Sequence, residues 1–136
     1  MNEKENIRKR AIIDANINRV SEGLRVIEDW SRFYIRDKKL TDEIREVKHS
    51  LWKIVSSSYP EYVKARKSEE DILAKTEEQD RDNIDDIPKA SLNRIKEGIR
   101  VLEEMAKLIS KDSGKKLKTL RFRIYEIERK FYEKIT

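Results

Sequence analysis

The sequence predicts an all-α protein, a four-helix bundle built from two helical hairpins related by an approximate twofold axis. Three observations carry this. Apolar residues recur at helical spacing along most of the chain. Only three Gly and two Pro punctuate 136 residues, too few for a many-turned β protein. The stretch "NRVSEGLRVIED" (18–29) returns as "NRIKEGIRVLEE" (93–104), with seven of twelve positions identical, four conservative and one different.

The first periodic segment runs from about Arg10 to Arg36. At about 100° per residue, Ile17, Val20, Leu24, Val26, Ile27, Trp30 and Phe33 share one broad arc. Asn18, Ser21, Glu22, Arg25, Glu28, Asp29 and Arg32 share the other. "RDKK" (36–39) breaks the pattern. A second helix is expected over about Thr41–Ser57, with Thr41 as N-cap and a stripe of Ile44, Val47, Leu51, Ile54 and Val55. After Tyr59-Pro60 the chain turns polar and weakly periodic, a long connection with a short helix near its start. Asp85 or Asp86 suits the cap of the third helix and Pro88 its first turn; that helix runs to about Ser110. "KDSGKK" reads as the next turn. The fourth helix, about Lys115–Lys134, carries Leu117, Leu120, Ile124, Ile127 and Phe131. The second and fourth helices also match, "IREVKHSLWKI" (44–54) against "LKTLRFRIYEI" (117–127). The offset is 75 residues for one helix of each hairpin and 73 for the other. The chain is therefore one domain, 1–136, with repeats at about 10–57 and 86–134 joined by a polar connection, 58–85.

Charged residues make up 43% of the chain, yet their signs are interspersed and the net charge is only +5. No basic run is interleaved with aromatics, so a nucleic-acid partner is not expected. A mild positive excess suits a small phosphorylated molecule. There is no cysteine, hence no disulfide, thiolate nucleophile or Cys-ligated metal, which fits a cytoplasmic protein. "MNEKENIRKR" has no apolar core of a signal peptide, and no apolar run approaches the roughly 20 residues of a membrane span.

The repeated polar stripe holds the candidate site. Asn18, Glu22, Arg25 and Asp29 fall at i, i+4, i+7 and i+11, and Asn93, Glu97, Arg100 and Glu104 form the twin. A solvated face needs polarity but not identity, so matched residues point to two copies meeting each other or a ligand. Arg19 and Arg94 fall within the apolar arc. Each must reach solvent or a partner, either a carboxylate clamping the hairpins or a phosphate. Gly23 and Gly98, in mid-helix, cost about 1 kcal/mol each relative to Ala, which implies close approach of another backbone or of a ligand. His49, the sole histidine, reads as a surface or packing residue before a catalytic one. Asp71, Glu69 and Glu70 in the connection are solvated charges or Mg²⁺ ligands. "SGKK" (113–116) lacks the first glycine and the strand of a P-loop.

"DANINRVSEGLRVIEDWSRFYI", "VKHSLW", "ARKSEED", "ASLNRIKEGIRVLEEMAKL" and "LRFRIYEIERKFY" together resemble one family along nearly the whole chain, about Arg10–Tyr132. It is the small helical domain found alone, or ahead of thiamine-phosphate synthase, and regarded as an alternative hydroxymethylpyrimidine phosphate kinase. The resemblance implies transfer of the ATP γ-phosphoryl group to hydroxymethylpyrimidine phosphate, with Mg²⁺ accompanying ATP. It implies a stand-alone kinase, possible self-association, and functional association with thiamine-phosphate synthase. By this resemblance Arg19, Arg94, Glu22 and Glu97 are catalytic. Asn18, Arg25, His49, Arg66, Asn93, Arg100, Arg121 and Arg123 bind substrate or ATP, and Asp71 holds Mg²⁺. Glu28, Glu103 and Tyr125 are carried over with them. One departure is that Asp71-Ile72-Leu73 stands where the family is expected to show Asp-x-Gly. Two other readings use the same residues: a helical enzyme acting on another small anion, as in a chorismate-mutase-like bundle, and a non-catalytic helical partner-binding module.

Overall fold

The computed structural model describes residues 2–135. Its elements are α1 (Glu3–Asp29), continued by a π-helical turn over Trp30–Ile35, then α2 (Lys38–Val55) and α3 (Tyr59–Lys64), a 3₁₀ turn at Ser68–Glu70, α4 (Asp86–Ala106) and α5 (Lys111–Ile135). The described residues contain no strand. No helix among them is long and apolar enough to cross a membrane.

Several boundaries differ from the sequence expectation, each for a local reason. α1 begins seven residues early because Asn2 caps it, its side chain accepting from the Glu5 amide at 2.9 Å. The cap of α2 is Asp37, which accepts from Leu40 N at 3.0 Å. Thr41 instead lies buried within the helix, its hydroxyl donating to Asp37 O at 2.7 Å and lying 2.8 Å from Ser31 Oγ. The π turn widens the end of α1 so that Ser31 is buried, while Phe33, expected in the core, is 65% exposed. Arg36 then takes a left-handed conformation (φ 64°) and turns the chain into α2. α4 ends at Ala106, and "KDSGKK" forms the first turns of α5 rather than a loop. The short helix expected early in the connection is α3, with Pro60 in its first turn.

The four long helices surround one core. α1 packs on α4 and α2, and α5 packs on α4 and α2. Ile17, Val20, Leu24 and Ile27 meet Leu92, Ile95 and Ile99, with Ile44, Val47 and Leu51 and with Leu120, Ile124, Ile127 and Phe131 closing the interior. Every neighbouring pair is antiparallel. Across α2 and α5, Glu43 binds Lys130 at 2.8 Å, Glu46 binds Arg123 at 2.8 Å, and Asp37 lies 3.7 Å from Lys134. Since α1 opposes both α2 and α4, those two run the same way. The chain leaving α2 must therefore travel back along the bundle, about 27 Å for an 18-residue helix, before α4 can start. This is why the connection is long.

α1 and α4 cross at the two matched glycines. A Cβ on Gly23 would lie 2.7 Å from Ile95 Cγ1 and 3.2 Å from Ser91 O; one on Gly98 would lie 2.7 Å from Val20 Cγ2 and 3.5 Å from Asn16 O. Val20 and Ile95 are equivalent in the repeat, as are Asn16 and Ser91. The two contacts are thus mirror statements about one pseudo-twofold axis, and close backbone approach explains both glycines.

Candidate functional site

The residues singled out in the sequence fall into three places. The first is the outer seam between α1 and α2, called the α1/α2 groove below, which α3 and the connection reach at one end through Tyr59 and Arg66. Glu28 on α1 is buried, and Lys48 on α2 approaches it at 3.6 Å. One turn away, Arg25 is exposed and held loosely to Asp29 at 3.3 Å. Trp52, half exposed, packs edge-on against Tyr59, with ring centroids 5.5 Å apart. Tyr59 donates from its hydroxyl to Asn18 Oδ1 at 2.9 Å, and Asn18 donates in turn to Asp14 Oδ1 at 3.1 Å. Arg66 arrives from the connection and grips buried Asp14 with two bonds, Nε to Oδ2 at 2.7 Å and an η nitrogen to Oδ1 at 2.8 Å. A further bond at 3.2 Å runs from Arg66 to the Tyr59 hydroxyl. The Asp14 bonds, then Tyr59, hold the Arg66 guanidinium charged beyond its usual range.

The second place is the pseudo-twofold twin, between α4 and α5. Glu103 stands where Glu28 stands and Arg121 where Lys48 stands, but this pair is closed. Arg121 donates to both Glu103 oxygens, at 2.6 and 3.3 Å, and to the Tyr125 hydroxyl at 3.1 Å. The Glu103 bond, then Tyr125, raises the Arg121 guanidinium above its usual range. Arg100 reaches Glu104 at 3.1 Å and Glu103 at 3.6 Å. Lys89 replaces Asp14 and lies over the Tyr132 ring at 5.6 Å. Asn93 is exposed.

The third place is the solvent side of the α1/α4 crossing. The register of the glycine contacts sets Arg19 level with Glu97 and Arg94 level with Glu22. Arg19 is half-buried and donates to Asn16 Oδ1 at 2.6 Å. Arg94, Glu22 and Glu97 are exposed and make no hydrogen bond or ion pair to a described residue. Neither arginine makes the anticipated clamp between the hairpins; the buried Arg–Glu pair of Arg121 and Glu103 instead joins the two helices of one hairpin, α4 and α5.

Three expected site residues are not brought to any of these places. Arg123 faces α2, paired with Glu46. His49 is exposed and without a partner among the described residues. Asp71 is exposed in the connection, its Oδ1 accepting from Leu73 N at 2.9 Å. No group of three His, Asp or Glu side chains among the described residues is arranged to hold a metal ion. The protein offers no preformed cage, and a Mg²⁺ here fits only as a complex with phosphates, which asks one or two carboxylates of the protein.

Asp14, Tyr59, Lys48 and Trp52 were not assigned from the sequence. Asp14 extends the Asn18 stripe by one turn, a usable signal. Its repeat partner is Lys89, so comparing the halves hides it.

A family model for the ThiD2 family matches residues 11–130. The chain belongs to the ThiD2 family. Segments similar to it occur in proteins named thiamine-phosphate synthase. The protein from Thermosynechococcus vestitus is 35% identical over 127 residues, covering 91% of this chain and 35% of that one. That from Synechocystis is 34% identical over 122 residues, covering 86% and 34%. That from Nostoc punctiforme is 35% identical over 120 residues, covering 86% and 33%. The chain spans about a third of the length of these curated relatives. No solved structure matches it. The match spans both hairpins and the connection, so the residues of the three places, Tyr132 apart, lie within it.

Proposed function

We propose that this ThiD2 protein acts in thiamine biosynthesis as an ATP-dependent kinase, converting hydroxymethylpyrimidine phosphate to the diphosphate. The observation that carries the choice of site is the inequality of the twin grooves. In the α4/α5 groove the buried carboxylate is saturated by Arg121. In the α1/α2 groove, Lys48 stands off from Glu28 at 3.6 Å and remains 36% exposed. An exposed Trp52 adjoins it, and only this groove receives an arginine from the connection. The loosely paired Lys48 and Arg25 beside an aromatic face suit a flat pyrimidine carrying a phosphate.

In this reading the ring stacks on Trp52, with Lys48, Arg25 and the free edge of Arg66 meeting phosphate oxygens. Asn18 and Tyr59 supply polar contacts to the ring substituents. MgATP is the co-substrate, its metal held mainly by the phosphates, with one or two carboxylates asked of the protein. Phosphoryl transfer asks mainly for alignment and charge neutralisation. The acceptor is itself an ionised phosphate, so no general base is needed, and His49 need not act as one. The crossing-face pair Arg19 and Arg94, with Glu97, lies around α1 from this groove. The proposal therefore places the chemistry with the groove residues.

The test is ADP release from MgATP with hydroxymethylpyrimidine phosphate and the free alcohol side by side. Turnover of the phosphate is expected. Lys48→Ala should lower kcat/KM about 100-fold, the scale for losing one charge-stabilising donor. Arg123→Ala, on the far face, should leave it unchanged. Silence with both substrates in folded protein, or equal loss in both variants, would reject the assignment.

A further inference from the structure

The repeat contains a second stripe that lies mostly outside the core and the groove, with only Trp30 and Met105, near one end of each copy, packing against the core. Along α1 and its π turn it runs Ile12, Ala15, Arg19, Glu22, Val26, Trp30, Phe33, and along α4 and just past its end Ile87, Ala90, Arg94, Glu97, Val101, Met105, Leu108. Each residue matches its counterpart at the 75-residue offset, and the steps alternate mainly between three and four, the spacing of a helix–helix seam. The α1/α4 contact is made by Asn16, Val20, Gly23 and Ser91, Ile95, Gly98, and the core by the next arc round. The second stripe therefore looks away from α2 and α5. Ile12 is 45% exposed, Phe33 65% and Leu108 67%; Val26 and Val101 are half-buried. A helical pair with matched apolar ends, small alanines and this spacing has the pattern of an interface, yet among the described residues no other element packs over its centre.

We propose that a second copy of this chain covers it, forming a twofold dimer in which the α1/α4 layers stack face to face. The charges identify the occupant. The crossing point lies midway between Arg19 and Glu22 on α1 and midway between Arg94 and Glu97 on α4. A twofold axis in the plane of the face, run along the helices, sets α1 on the partner's α4 and Arg19 over the partner's Glu97. Run across the helices, it sets α1 on the partner's α1 and Arg19 over the partner's Glu22. Either way each arginine meets a glutamate at the centre, and apolar residues meet at both ends. This surface is complementary to itself. Two helices about 10 Å apart and about 30 Å long present on the order of 600 Å² per copy, close to the roughly 800 Å² of a standard interface.

The dimer also places the two outer stripes, Asn18-Glu22-Arg25 and Asn93-Glu97-Arg100, along the edges of the contact, beside the partner's helices. That consequence rests on the kinase reading; the dimer itself does not. Sedimentation velocity of the full chain at micromolar concentration should give twice 16.3 kDa. Val26→Glu/Val101→Glu should be monomeric with unchanged helical circular dichroism. R19E/R94E and E22R/E97R should each be monomeric, because each sets like charges together, and should sediment as a dimer when mixed. A monomeric parent protein, or reversal variants that stay dimeric alone or fail to associate when mixed, would overturn the proposal. The readout is mass, so a kinase-silent protein that dimerises would reject the kinase reading and leave this one standing.

Discussion

The three glycines should respond to alanine with different signs. In an open helix, Gly→Ala stabilises by about 1 kcal/mol, because the unfolded chain loses freedom and the helix gains a good former. Gly114, in the first turns of α5, has nothing within 4 Å of an added Cβ, so Gly114→Ala should gain up to about 1 kcal/mol. At Gly23 the same methyl meets Ile95 Cγ1 at 2.7 Å, an inner carbon of a fully buried side chain, and the Ser91 carbonyl at 3.2 Å, which moves only if α4 moves. Overpacking of this kind costs about 1–3 kcal/mol, so the net change is a loss of about 1 kcal/mol after the propensity gain. Gly98 is intermediate, since one Val20 methyl at 2.7 Å is the only tight contact. Gly98→Ala with Val20→Ala should cost less than the two separately, because the smaller side chain removes the clash. Urea denaturation followed by circular dichroism measures each single variant and the double. The Gly114 and Gly23 variants should differ by about 2 kcal/mol, or roughly 5 °C or more in Tm. If Gly23→Ala stabilises as much as Gly114→Ala, the close crossing of α1 and α4 is wrong, and the twofold register with it.

Other outcomes follow from the ion pairs. Glu103→Ala strands Arg121, only 13% exposed, and should cost about 3 kcal/mol in denaturant titrations. Glu28→Ala should cost clearly less, because Lys48 can swing into water. Asp14→Asn removes the charge that holds Arg66, a loss of about 1.5–3 kcal/mol, and should speed proteolysis within residues 66–85. Acid should destabilise the fold through Glu104 and Glu126. Hydrogen bonds from Lys107 and Arg129 respectively hold these carboxyls below their usual value. Depressed folded values mean that their contribution is complete above an ordinary carboxylate pKa of about 4.3 and fades as pH falls through the folded values. Calorimetric Tm should drop below that pH, and Lys107→Ala/Arg129→Ala should flatten part of the drop.

What the sequence discloses depends on whether a signal is periodic or particular. The helices and the paired glycines were legible because burial imposes a 3.6-residue rhythm and the duplication states each position twice. Asp37 was passed over for Thr41 because both are good caps, and only the three-dimensional turn at Arg36 chooses between them. Phe33 was misplaced because a π turn adds a residue that no periodicity announces. Asp14, the partner of Arg66, escaped for a different reason. Their pairing joins residues 52 apart, and Lys89 breaks the match that flagged their neighbours.

The long return of the chain from α2 to α4 has an implication for ancestry. A peptide half this length, a lone hairpin pairing with itself, would make the α1/α4 crossing with no return segment at all. Each of its side chains would then appear twice and could satisfy only roles that both positions share. Joining two such halves through residues 56–85 frees each from the other. One side can close its Arg–Glu lock for rigidity, while the other leaves Lys48 loose and recruits Arg66 from the joining segment itself. The linker that bridges the duplication is thus also what makes its two halves unequal.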